Sequence, residues 1–240
     1  MKPIAIFQHT EVGAPGSVIS ILEGLGMRCE VVSVVTGEAV PKDARAYAGL
    51  IFMGGYMGVH DSLPWIEQEC TLMRQADNHD IPVAGHCLGS QLLAFAFGAN
   101  VRKNVRTEIG WQHVVVEGGE VGRDWWGEDE GASIPAFQWH SDTFDLPRGA
   151  VRIGTGVNCE NQAFVLRDMH LAMQSHFEMT PELVALSLER NGAQLEREFA
   201  EGNPAVTSME ETRRDVPART RAMTQVLARL YSRWVRNCKT

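Results

Sequence analysis

Cysteine, histidine and glutamate can together form and break an acyl bond without a metal, and the sequence spaces one such set suggestively. Cys87 lies in Gly85-His-Cys-Leu-Gly-Ser-Gln91, after the apolar run Ile81–Ala84 and before the helical pattern Leu88–Phe97. A thiol between strand and helix, with glycines two residues to either side, fits a nucleophile elbow, a tight strained turn that needs small neighbours. Free N–H groups and the dipole at the helix start favour a thiolate there, and the Leu88 N–H is placed to bond an oxyanion. His176 and Glu178 close a strand pattern about ninety residues later. Residues i and i+2 of a strand share a face, as a base and its orienter must. His140 beside Asp142 is either a second base with its orienter, a substrate-loop element or a hydrogen-bonded turn. Gly54-Gly55 after a strand pattern either turns the chain or brings backbone N–H groups close to a ligand.

A strand–helix framework has to carry these residues. Pro3–Phe7 and Ile81–Ala84 read as buried strands, and Cys29–Val35 and Leu50–Met53 as further strands. Helices are expected after Ser17, which can cap the first, and over Pro64–Asp80. Ala99–Trp111 reads as loop and short strand with solvated charges, and Gln112–Val116 as a strand. Glu117–Ser133 has no period and reads as an exposed loop, in which Trp125-Trp126 either pack on their own domain or cover the site mouth or a partner surface. Val151–Thr155, Ala163–Arg167 and Leu171–Gln174 read as successive strands, the last two joined by a hairpin turn. A helix over Pro181–Arg190, a polar linker over Asn191–Pro204 and a capping box at Ser208–Glu211 follow. Pro217 restarts a helix whose stripe is Met223, Val226, Leu227, Leu230 and Trp234. One domain over 1–240 is expected, with 191–240 as a helical C-terminal extension.

The chain has 240 residues, 44% hydrophobic and 22% charged, with a net charge of −8 that argues against non-specific nucleic-acid binding. Its five cysteines lack metal-ligand spacing, and the odd number argues against a disulfide framework, so a reducing cytoplasm is expected. No signal peptide and no run long enough to span a bilayer is read, so no membrane partner is expected.

The pattern G-x-C-x-G-x-Q at Cys87, with Gly54-Gly55 before it and His140-Ser141-Asp142 and His176-Phe177-Glu178 after it, resembles class I (triad-type) glutamine amidotransferases. Within them it looks closest to free-standing, GMP-synthetase-like domains. The motifs span roughly residues 45–180. The resemblance implies an α/β fold of three layers, flavodoxin-like, with a mostly parallel central sheet flanked by helices. It implies Cys87 as nucleophile, His176 as base and Glu178 as orienter, with Gly55 and Leu88 as the oxyanion hole. Gly54, Gln91, Trp139, Ser141 and Asp142 would contact the substrate. No metal or organic cofactor is implied. Phe177 stands where the family usually has proline, a departure expected to change loop rigidity more than chemistry. With no P-loop and no dinucleotide fingerprint, ammonia released from glutamine would go to a separate synthetase subunit. Two alternatives stay open: a free-standing hydrolase of γ-glutamyl peptides or amides, and a non-catalytic regulatory or binding module on this fold.

Overall fold

The computed structural model describes residues 2–239. Strand β1 (Ile4–Gln8) is followed by helix α1 (Val18–Gly24), β2 (Cys29–Ser33), β3 (Gly49–Phe52), α2 (Pro64–Asn78), β4 (Val83–His86) and α3 (Leu88–Ala96). Next come β5 (Val101–Val116), α4 (Gly119–Trp126), β6 (Ser133–Phe144), β7 (Ala150–Thr155), β8 (Ala163–Leu166) and β9 (His170–Met173). Helices α5 (Pro181–Ala200), α6 (Met209–Arg213) and α7 (Val216–Trp234) complete the order.

The nine strands of the described residues form one sheet, in the order β2-β1-β3-β4-β9-β8-β7-β5-β6. The first five are mutually parallel and the remaining pairings antiparallel. The sheet is therefore mixed rather than mostly parallel. The reason is connection length: the turn between β8 and β9 is three residues, with Arg167 and Asp168 at φ 56° and 52°, and parallel strands need a far longer crossover.

Alternation along the strands builds two cores. Ile4 and Ile6 face one side with α1, α4, α5 and α7, whereas Ala5 and Phe7 face the other with α2 and α3. Because β1, β3, β4 and β9 run parallel, the loops leaving their C-terminal ends meet at one edge, where open α/β sheets place ligands. No helix among the described residues is long and apolar enough to cross a membrane.

Several segments differ from the sequence expectation. Residues 101–116 form one long strand, and its charged half is a two-stranded ribbon with β6 whose register shifts between Lys103 and Glu108. The segment read as an exposed loop holds α4, and Trp125 and Trp126 are 1% and 0% exposed. Their indole N–H groups donate to Asp168 Oδ1 at 2.8 Å and to the Ile153 carbonyl at 2.7 Å, which lets both rings sit in the core. They pack on their own fold and do not line the site. Helix α5 continues through the expected linker to Ala200, so residue 191 falls inside it. Ser17 makes no side-chain cap on α1. The Ser208 hydroxyl does cap α6, accepting the Glu211 N–H at 3.1 Å.

Candidate active site

Cys87 joins β4 to α3 at φ 48° and ψ −107°. Such a conformation is strained for a non-glycine residue by about 1–3 kcal/mol. Two sets of bonds impose it. The Cys87 N–H still follows the sheet, donating to the Met173 carbonyl at 2.8 Å, while its carbonyl already starts the helix by accepting the Gln91 N–H at 3.1 Å. The flanking glycines have no substitute: a Cβ on Gly85 would lie 2.4 Å from the Gly89 backbone, and one on Gly89 would lie 2.0 Å from the Phe52 carbonyl oxygen. The Leu88 N–H, in the first turn of α3, has no intrahelical acceptor.

His176 and Glu178 lie beyond β9, which ends at Met173, so strand alternation is not what joins them. The His176 N–H donates to the Phe137 carbonyl at 2.8 Å, and the Glu178 carbonyl accepts the Ser17 N–H at 3.0 Å and its hydroxyl at 3.3 Å. Gly16, at φ 54°, leaves room for that carbonyl, 2.1 Å from where a Cβ would be. The loop is thereby pinned at both ends, and the His176 Nδ1–H donates to Glu178 Oε1 at 2.7 Å. Phe177, between them, is fully buried with its ring edge-on to Trp126; where the family usually has a stiff proline, this chain has a core anchor.

The second oxygen of Glu178 is 2.8 Å from His86 Nδ1, and His86 Nε2 is 2.8 Å from the Tyr231 hydroxyl. Burial opposes the charge on Glu178, but His176 and then His86 hold its carboxyl well below the ordinary carboxylate range. Burial likewise opposes a charged His176 ring. The Glu178 carboxylate and then Cys87 outweigh it and raise His176 well above an ordinary histidine.

Cys87 and His176 line one pocket together with Gly54, Gly55, Tyr56 and Trp139. Gly54 packs against both, its Cβ position lying 3.0 Å from His176 Cε1 and 3.6 Å from Cys87 Cβ. Gly55 abuts Leu88, with 2.9 Å between its Cβ position and Leu88 Cδ2. The Gly54 carbonyl lies against Gly13, so the trans peptide sends the Gly55 N–H away from Gly13. That N–H donates to no carbonyl among the described residues. Below it, the buried His9 ring donates to the Met53 carbonyl at 3.0 Å and is backed by Glu69.

The residues expected to contact substrate divide. Trp139 is at the pocket: its carbonyl accepts the Cys87 thiol at 3.9 Å, and its indole donates to Gln194. Gln91, Ser141 and Asp142 are not among its lining residues. The Gln91 amide donates to Gln174 Oε1 at 3.1 Å, Ser141 pairs with Thr107, and Asp142 forms an ion pair with Lys103 at 2.7 Å. His140-Ser141-Asp142 is part of β6 rather than a loop. The His140 ring reaches the Asp142 carbonyl and Glu108 Oε2, both at 2.8 Å, so Asp142's carboxylate does not orient it.

Folding also gathers a second set. Ligand atoms of Glu108, His140 and Cys159 lie within 4.8 Å of one another, all buried. The donors are already engaged: Gln162 donates to Glu108 Oε2 at 2.7 Å, and Cys159 bonds Thr143 and the Asn161 carbonyl at 3.3 and 3.7 Å. Burial pushes the Cys159 thiol up to about 11. A metal would need a thiolate and an unpaired ring nitrogen, which this cluster does not offer.

His86, Tyr231 and Ser17 were not singled out for the site from sequence. Only His86 left a signal there, as a histidine inside an otherwise apolar strand.

Residues 14–193 match the family model described as glutamine amidotransferase class-I. A gamma-glutamyl peptidase 4 from Arabidopsis thaliana is 26% identical over 203 residues, covering 82% of this chain and 80% of its own. A glutamine-hydrolyzing GMP synthase from Wolbachia pipientis wMel is 26% identical over 67% of this chain but only 31% of the synthase. Among solved structures, a glutamine amido transferase from Methylobacillus flagellatus has a TM-score of 0.95 at 33% identity, covering 100% of this chain and 96% of that one.

Proposed function

The chain belongs to the class-I glutamine amidotransferase family, and we propose that it hydrolyses the side-chain amide of glutamine through a γ-glutamyl thioester on Cys87, releasing ammonia for a separate acceptor enzyme. The observation that carries this is the strained Cys87, facing His176 and its buried Glu178 partner across one pocket. His176 takes the thiol proton, and Glu178 fixes its tautomer and balances its charge. The sulfur adds to the amide carbon. The oxyanion lies between the N–H groups of Leu88 and Gly55. The C–N bond then breaks, and the nitrogen leaves with the proton from His176. Water, deprotonated by His176, opens the thioester to give glutamate and restore the thiol. Trp139 forms one wall for the substrate.

A second reading, a γ-glutamyl peptide hydrolase with no partner, is favoured by the Arabidopsis peptidase, which matches over most of both chains, whereas the GMP synthase match spans a minor part of that protein. The test is glutamate release by the purified protein from glutamine and from a γ-glutamyl dipeptide. Turnover of glutamine above the dipeptide supports the amidotransferase. The reverse supports the peptidase. Turnover of neither, with or without a co-purifying synthetase, contradicts both and leaves the non-catalytic module.

A further inference from the structure

We propose that His86 and Tyr231 are positioning residues for this site: Tyr231 fixes the tautomer of His86, and His86 holds the second oxygen of Glu178. The inference rests on Glu178 being the triad carboxylate. A carboxylate accepts only, so the 2.8 Å contact with Glu178 Oε2 puts a proton on His86 Nδ1. In the neutral ring Nε2 is then an acceptor, and it takes the Tyr231 O–H at 2.8 Å. Burial, with the charge of Glu178 nearby, raises the Tyr231 phenol well above its ordinary value and keeps that proton in place.

Glu178 thus receives one ring N–H on each oxygen, from His176 and from His86, and cannot turn. His86 is the last residue of β4 and the residue before Cys87, so nucleophile and carboxylate are held by adjacent residues. Tyr231 is fully buried, edge-on to Trp234 on α7. That helix lies outside the residues matched by the family model. The C-terminal helix therefore closes a relay from Tyr231 to Cys87. The titratable groups facing Glu178 are His176 from its own loop, His86 from β4 and Tyr231 from α7, while Cys87 on the elbow faces His176 and Cys29 of β2 lies near Tyr231.

The test uses the full chain with Tyr231→Phe, His86→Leu and His86→Asn. It measures kcat and KM on the substrate the wild type turns over, the pH profile of iodoacetamide alkylation at Cys87, and thermal midpoints. Losing one hydrogen bond to a charged group should lower kcat about ten- to a hundred-fold in His86→Leu, and less in Tyr231→Phe. KM should stay within about two-fold if only transition-state interactions are lost. His86 helps keep Glu178 ionised, so its loss raises the Glu178 pKa and moves the acid limb of alkylation to higher pH. His86→Asn, whose amide N–H can replace Nδ1–H, should restore most of both. Wild-type kcat and pH profile in Tyr231→Phe and His86→Leu, with only the midpoint lowered, would overturn the proposal and leave a structural histidine. Wild-type Cys87 reacting no faster than Cys159 would overturn it together with the reading of the site.

Discussion

Cys87–His176–Glu178 and Cys159–His140–Glu108 contain the same three side-chain types in one fold, and burial does not distinguish them, since Cys87 is 5% exposed and Cys159 1%. Backbone and hydrogen-bond order do. Cys87 sits at positive φ on the strand–helix turn and faces a pocket, and its histidine has a carboxylate on the far nitrogen. Cys159 lies between β7 and β8, bonded to Thr143 and the Asn161 carbonyl, while both nitrogens of His140 are taken by Glu108 and the Asp142 carbonyl. The first set leaves a sulfur and a ring facing open space. The second is a closed polar core.

The largest break between them is at sulfur. Cys87→Ala should lower glutamate release by at least about a thousand-fold, whereas Cys159→Ser should leave it within about two-fold, measured as initial rates on one substrate. The carboxylates should separate next, by kind of effect. Glu178→Gln should lower kcat by about a hundred-fold or more while the protein remains folded. Glu108→Ala should spare the chemistry but cost about 3 kcal/mol in urea unfolding, because it leaves His140 and Gln162 buried without their partner.

A smaller contrast lies in pH. The folded Cys159 thiol is pushed up to about 11, above its unfolded value of about 8.5. Its protonated form is the buried one, so its contribution is complete below the unfolded pKa and is lost as pH rises toward the folded one. Urea unfolding at rising pH should show a shallower alkaline loss in Cys159→Ser than in wild type. Glu178 has the opposite sign. Its folded pKa is depressed, so its contribution is present above the ordinary carboxylate range and is lost on acidification. The smallest effect is expected at the pocket rim, where Asn191 donates to the Tyr56 hydroxyl at 3.2 Å. Tyr56→Phe should change stability by no more than about 0.5 kcal/mol in the same urea assay.

These contrasts were only partly legible in the sequence. The elbow was legible because its determinants are local: an apolar strand, a helix and glycines at two fixed offsets. The His176–Glu178 pair was expected from strand alternation, yet the strand ends at Met173 and the pair forms because Ser17, far away in sequence, clamps the Glu178 carbonyl. No local pattern encodes that clamp, nor the Tyr231–His86 contact, which spans 145 positions. Ser141 and Asp142 were placed by motif, but the irregular β5–β6 ribbon decides where they point. Helix α4 was hidden by its glycine flanks, Gly118 and Gly127, both at positive φ. Asn191-Gly192 looked like a linker because packing against Met209, which buries Gly192, lies outside any local window.

The most direct test is to trap the intermediate. The protein is mixed with glutamine or a γ-glutamyl dipeptide, quenched in acid during turnover, and mapped by peptide mass spectrometry. A γ-glutamyl thioester on the peptide carrying Cys87, and none on that carrying Cys159, is the predicted result. Substrate turnover that persists in Cys87→Ala, or an adduct on Cys159, would contradict the account.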